Sequence, residues 1–283
     1  MNMRIAVVGS TGMFGSELLN LLKAKGVESQ GFNRRNLDFE QSPDSLATKF
    51  KGFDAVVNAV AFTAVDKAES QIYEVNTVNG LYAGLLAQAS KIAGARFIHI
   101  STDYVFEGSS NTPYKVDEPI NPQNAYGKSK ALGEQLVAES GADYSVLRTA
   151  WLYGANGRSF PKVMAELLKK NGSVRVVNDQ FGQPTWTRDL AEMVVQVVKL
   201  EKMPRIVHAV SSGKATWADF AKEVALSIGL SADAIEEISS EEFPTAAKRP
   251  AWSVLDNSSD VLTLIGDWRE RWRVAATEVL CGI

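Results

Sequence analysis

Sulfur and imidazole chemistry are nearly missing from this sequence. Its 283 residues hold one cysteine, Cys281, and two histidines, His99 and His208. A single cysteine excludes an internal disulfide and a cysteine-rich metal site. Two isolated histidines leave little material for a zinc centre or a histidine-based triad, and each reads as a strand residue. An excess of one charge is missing too. Thirty basic against 33 acidic residues give a formal charge of −3, so no broad field draws nucleic acid. No run approaches the roughly 18 apolar residues needed to cross a bilayer. The N-terminus, Met-Asn-Met-Arg-Ile-Ala-Val-Val-Gly, enters a strand at once, without the charged region, apolar run and cleavage site of a secretory leader. These absences point to a cytoplasmic protein with neither nucleic acid nor membrane as its partner.

What is present is ordinary globular composition, 45% hydrophobic and 22% charged, in a chain long enough for one large α/β unit and a smaller appended one. Short apolar runs at 4–8, 29–32, 55–58, 96–101 and 144–148 read as buried strands. Between them, 12–25, 43–50, 73–93 and 125–140 read as helices. That alternation implies a parallel sheet with helices on both faces. Residues 107–123, with glycine, serine, asparagine and three prolines, break the rhythm and read as a functional loop leading into a helix near Tyr126. Beyond Arg148 the pattern loosens, with helices expected at 159–170, 188–200, 217–228 and 268–279 and strands at 174–177 and 206–210. No linker or repeat intervenes, so the second part should pack directly on the first and leave a cleft.

Gly9-Ser10-Thr11-Gly12-Met13-Phe14-Gly15 follows the first strand and opens the first helix. A dinucleotide site needs small residues there, for a tight turn, for close approach of the pyrophosphate and for helix–strand packing. The helix then presents free N–H groups to the phosphates. This places the chain among doubly wound, Rossmann-type α/β folds. The expected division is a dinucleotide-binding domain at 1–150 and a smaller α/β substrate domain at 151–283, with 188–209 packing back onto the first. After the second strand an NAD site usually carries a carboxylate for the ribose hydroxyl. Here Asn33-Arg34-Arg35 stands instead, and two guanidinium groups suit a 2′-phosphate. A solvated surface pair is the plain alternative. NADPH is therefore preferred, with NADH also admitted. Asp38 and Phe39 could border the adenine, and the small residues Ala59, Val60 and Ala61 let the cofactor's middle lie against the backbone.

Tyr126-Gly-Lys-Ser-Lys130 sets a tyrosine and a lysine one helical turn apart on one face. A phenol with its usual pKa near 10 is a poor acid–base group at neutral pH. A nearby ammonium is expected to lower it, and the same lysine can hold the nicotinamide ribose. Ser101-Thr102-Asp103, ending the fourth strand, can supply a further donor to a substrate oxygen.

The glycine spacing resembles that of the extended short-chain dehydrogenase/reductases. The likeness then narrows. Ala64–Glu69, Ser101-Thr-Asp-Tyr-Val-Phe106, Tyr126–Lys130, Arg148-Thr-Ala-Trp-Leu-Tyr153 and Asn178-Asp-Gln-Phe-Gly-Gln-Pro-Thr185 resemble, in order, blocks of the dTDP-4-dehydrorhamnose reductase family. The resemblance implies NADPH-dependent reduction of the 4-keto group of a dTDP-linked 6-deoxyhexose. Thr102 would bond the keto oxygen, Tyr126 would donate the proton, and Lys130 would tune Tyr126 and bind the ribose. Asp103, Val105, Phe106 and Trp151 would border the sugar, and Arg249 the nucleotide diphosphate. From the residues alone, Trp151 reads equally as a core tryptophan and Arg249 as a surface cation. The chain departs from the family at Phe62, where a histidine is common. Some members dimerise through magnesium. Glu17, Asp189 and Glu278 fall near the matching acidic places, a weak signal among 33 carboxylates, and the chain is expected to be a monomer or homodimer. Two rival readings stand. A nucleotide-sugar epimerase or dehydratase would favour an acid near Asn33-Arg34, and a related ketoreductase of another deoxysugar would share every motif. A cofactor-binding regulatory subunit would keep the fold without turnover.

Overall fold

A computed structural model describes residues 3–283. Six strands, β1 (Arg4–Val8), β2 (Glu28–Phe32), β3 (Ala55–Asn58), β4 (Arg96–Thr102), β5 (Tyr144–Thr149) and β6 (Ile206–His208), pair in parallel in the order β6-β5-β4-β3-β1-β2. The most apolar runs take the middle. Every residue of β3 is buried, as are Ile5–Val8 of β1, whereas the polar sequence Glu-Ser-Gln-Gly-Phe of β2 suits an edge. From β1 the chain runs first to one side and then to the other, so the strand order reverses between β1 and β3. In such sheets ligands bind in the crevice at the strands' carboxyl ends at that reversal.

Helix α1 (Met13–Ala24) covers one face, packing its buried Phe14, Leu18 and Leu22 on Ile5, Val7 and Val57. Helices α2 (Pro43–Phe50) and α3 (Tyr82–Ala93) cover the other, packing Leu46, Phe50 and Leu86 in one core with Val56 and Phe97 of the sheet. Helix α4 (Ala125–Glu139) packs beside α3. The stretch expected as one helix from 73 to 93 is interrupted. Short helices Val65–Ala68 and Ile72–Asn76 lead into a π-helical turn, Thr77–Leu81. The cause is Asn79, turned inward. Its side chain accepts from the Phe62 N–H (2.7 Å) and donates to the Phe62 carbonyl (3.1 Å) and to Ser129 Oγ (2.9 Å). One widened turn accommodates that buried network.

After β5 the chain builds a second core. Helices α5 (Phe160–Asn171), α6 (Thr187–Lys199), α7 (Trp217–Ser227) and α8 (Trp268–Val279) lie close to their expected bounds. Tyr153, Phe220, Trp268 and Trp272 cluster through edge-to-face and tilted ring contacts, and Val174–Val177 pairs with Ile235–Ile238, a strand without an expected counterpart. The segment of α6 and β6 returns to the sheet, with Leu190, Val194 and Val197 in the α1 core. Among the described residues no helix is long and apolar enough to cross a membrane.

Candidate active site

The carboxyl ends of the strands open onto three contiguous cavities. The first, about 460 Å³, is lined by Gly9, Thr11, Gly12, Asn33–Arg35, Phe39, Ala59–Ala61, Val78 and Tyr82. Gly9 has φ +87°, and a Cβ there would stand 2.8 Å from the Ala59 carbonyl carbon, so only glycine makes this turn. A Cβ on Gly15 would run into the Gly9 carbonyl oxygen, which fixes the helix close beneath the turn. Ser10 is buried, with its N–H on the Phe32 carbonyl. No side chain caps α1, so its first N–H groups stay free for an anion. Asn33 Oδ1 accepts from the Arg35 N–H (2.9 Å), a local turn that leaves both arginines exposed and outside any ion pair among the described residues. Phe39 stacks on Tyr82 (4.5 Å), giving the cavity an aromatic wall. The residues fit a 2′-phosphorylated dinucleotide.

The second cavity, about 510 Å³, joins Gly12–Phe14 and Ala59–Ala61 to Thr102, Asp103, Tyr126, Lys130 and Trp151. The structure thus brings the expected catalytic set together. Lys130 is 2% exposed; its Nζ donates to the Ile100 carbonyl (2.6 Å) and lies 3.3 Å from His99 Nε2. Burial holds the ammonium down at about 8, against the opposing pull of Glu134. Burial together with Lys130 keeps His99 well below its usual range, so its ring is neutral. Helical spacing suggested that Lys130 lowers the Tyr126 pKa. In the structure burial dominates instead and pushes the phenol up to about 12, with the Thr102 hydroxyl opposing. Two of the lysine's three donors are turned to His99 and Ile100 of β4, and the phenol is held protonated. Thr102 Oγ1 donates to Asp103 Oδ1 (2.9 Å) and accepts from the Tyr104 N–H. Asp103 is 3% exposed with Oδ2 unpartnered, and burial raises its carboxyl to about 6. Beneath, Glu134 accepts from Ser101 Oγ (2.5 Å) and is held by Arg148 Nη2 (2.7 Å) and Nε (3.0 Å). That buried network ties β4, α4 and β5 together under the site.

The third cavity, about 560 Å³, extends from Thr102, Tyr126 and Trp151 to Arg175, Gln180, Phe243 and Arg249. Trp151 has φ +44°, unusual for a side chain so bulky. Its indole stacks on Trp217 (3.5 Å, 5° between planes). A Cβ on Gly182 would fall 2.5 Å from the indole nitrogen, so glycine is needed to admit the ring. Arg249 Nη2 bonds Asp66 Oδ2 (2.6 Å), while Nη1 is buried without a partner.

Some expected residues lie elsewhere. Val105 and Phe106 sit in a separate core rather than at the cavity, with Phe106 stacked on Tyr114 (4.5 Å), because the 3-10 turn Asp103–Val105 directs the chain inward. Asp38 is exposed and accepts from the Glu40 N–H (3.0 Å) in a local turn, outside the lining of the first cavity. The acidic set does not suit a metal ion. Arg188 bonds Glu17 (2.8 Å) and Glu278 (2.9 Å), and Arg271 bonds both oxygens of Asp189 (2.9 and 2.8 Å). Guanidinium groups already supply the positive charge, and no group of three or more metal-ligating side chains occurs among the described residues. Sequence reasoning missed Tyr82, Trp217, Phe160 and Gln180. Only Gln180 had a signal, inside the Asn178–Thr185 block.

The sequence pattern of the RmlD substrate binding domain family matches residues 3–282. A dTDP-4-dehydrorhamnose reductase of Burkholderia thailandensis is 38% identical over 274 residues, covering 91% of each chain. A probable dTDP-4,6-dihydroxy-2-methyloxan-3-one 4-ketoreductase of Streptomyces antibioticus is 37% identical over 285 residues, covering 98% of this chain and 96% of that one. The crystal structure of a Bacillus anthracis dTDP-4-dehydrorhamnose reductase in complex with NADP is 30% identical and superposes with a TM-score of 0.92, over 98% of this chain and 100% of that one.

Proposed function

Since the chain belongs to the RmlD substrate binding domain family, we propose that it is an NADPH-dependent ketoreductase acting on the 4-keto group of a dTDP-linked 6-deoxyhexose, dTDP-4-dehydrorhamnose first among them. One observation carries this reading. Thr102, Tyr126 and Lys130 stand where the Gly9–Gly15 cofactor cavity meets the Trp151–Arg249 cavity. Bound there, the reduced nicotinamide supplies the hydride. The chain's own residues manage the oxygen. Thr102 donates a hydrogen bond to it as charge gathers, and Tyr126, kept protonated by burial, gives it the proton. Lys130 stabilises the phenolate left behind and binds ribose with its remaining donor. Trp151 and Arg249 hold the sugar and the diphosphate. The enzyme works in the cytoplasm as a monomer or homodimer, without a resident metal.

A second reading, reduction of another deoxysugar of the same linkage, is favoured by the comparable identity to the Streptomyces ketoreductase. The test is NADPH oxidation, followed by its absorbance, with dTDP-4-dehydrorhamnose and with the isomeric 4-keto sugars, the product's stereochemistry being read by NMR. Turnover with dTDP-4-dehydrorhamnose alone supports the first reading. Turnover only with an isomer transfers the assignment to the second, and silence with all of them removes both.

A further inference from the structure

We propose that residues 157–159 form a second anion seat, in which Arg158, Ser159 and the N-terminus of α5 grip the cofactor's pyrophosphate from the side opposite the Gly9–Gly15 turn. The proposal rests on the dinucleotide reading above and extends it to residues that no motif pointed to.

The N-termini of α2, α4 and α7 are closed by their own side chains. Ser42 accepts from the Ser45 N–H, Asn124 from Gly127 and Thr216 from Asp219. Ser159 occupies the same position on α5, a helix of 12 residues, and makes no such bond. Its residue is 7% exposed, and its Oγ is buried with no hydrogen-bond partner at all. A buried hydroxyl left unpaired is costly unless something outside the chain completes it. Ser159 and Arg158 both line the cavity that begins at Gly12, Met13 and Phe14, the start of α1. They are close to that helix. Gly157, at φ +73°, would place a Cβ 3.7 Å from Met13 Cβ. Arg158 is exposed and belongs to no ion pair among the described residues.

Two helix N-termini without side-chain caps therefore open onto one cavity, with a hydroxyl donor and a guanidinium beside the second. That is a setting for a group with several anionic oxygens. The cofactor's pyrophosphate is such a group. The substrate's diphosphate is the other candidate, but Arg158 and Ser159 line the second cavity and not the third, where Arg249 lies. Phe160, the next residue, lines both. A cofactor held this way joins the sheet to the second core.

The experiment is calorimetric titration of the full chain with NADPH and with adenosine 2′-monophosphate, which lacks the pyrophosphate, for wild type, Arg158→Gln, Arg158→Lys and Ser159→Ala. Loss of one charge-assisted contact should weaken NADPH at least about tenfold in Arg158→Gln, less in Arg158→Lys, and flatten its salt dependence. Ser159→Ala should weaken it by a smaller factor. Adenosine 2′-monophosphate should bind all four alike, which separates the seat from a folding defect. Wild-type NADPH affinity in Arg158→Gln overturns the seat and leaves the ketoreductase reading standing, as does an equal loss of adenosine 2′-monophosphate. Failure of the wild type to bind NADPH overturns that reading and the seat with it.

Discussion

The two ends of the active-site channel are built in opposite ways. At the adenosine end the charges stand ready, with Arg34 and Arg35 exposed and the first turn of α1 without a cap. At the sugar end the groups already occupy one another. Trp151 lies on Trp217, Thr102 donates to Asp103, and Arg249 is held by Asp66. A preformed end binds without rearrangement, whereas a self-paired end must exchange internal contacts for those of its ligand. The contrast implies that cofactor binding is set mainly by charge, and substrate binding by how readily these internal pairs part.

The largest test falls between the ends. Tyr126→Phe keeps the ring and removes the proton donor, so single-turnover hydride transfer should slow by at least about a hundredfold while NADPH affinity hardly changes. An unchanged transfer rate would mean that another group is the acid. Next comes the open end. Replacing Arg34 and Arg35 by alanine should raise KM for NADPH by about tenfold or more, from the loss of contacts of about 1.5–3 kcal/mol, and leave KM for NADH nearly unmoved. Equal changes for both cofactors would remove the 2′-phosphate assignment. At the closed end, Trp151→Ala should weaken sugar-nucleotide binding severalfold, on the order of the 0.5–1.5 kcal/mol that an aromatic contact contributes, with binary NADPH affinity intact. A matched loss of both would indicate a general packing defect.

The smallest effect concerns Lys130 in the cofactor-free chain. Its folded pKa of about 8 lies below the unfolded value of about 10.4, so between those values the unfolded chain binds more protons than the folded one. Folding stability from this group therefore rises with pH across that window, and the burial penalty is fully present below about 8. The Tm difference between wild type and Lys130→Met should grow in favour of wild type from about pH 8 to about pH 10. A flat difference would show that the ammonium carries no such depression.

Legibility followed locality. The strands, the glycine turn and the Tyr126–Lys130 pair were readable because each is written in a few adjacent residues with one backbone geometry. The same holds for the helices after Arg148, whose apolar period is self-contained. Trp217 was not readable as part of the site, since its partner Trp151 lies 66 positions earlier and the stack is made by tertiary packing. Val105 and Phe106 misled because a matching block extends past the point where the 3-10 turn buries the chain. The π-turn escaped for a related reason, as apolar periodicity does not report an asparagine bonding a backbone segment 17 residues away. Ser159 was only the first residue of an expected helix, and the geometry alone showed a hydroxyl bonding nothing.

The Trp151–Trp217 stack has an optical consequence. Two indoles 3.5 Å apart and nearly parallel are close enough for their electronic transitions to couple, so the stack should mark the near-ultraviolet dichroism and the indole emission. With Gly182 pressed against Trp151 as well, a pyranose can reach the ring's stacking face only by parting the pair. On the proposed reading, a sugar that parts the stack would change these signals, so the pair would report sugar occupancy without a label once the cofactor is in place.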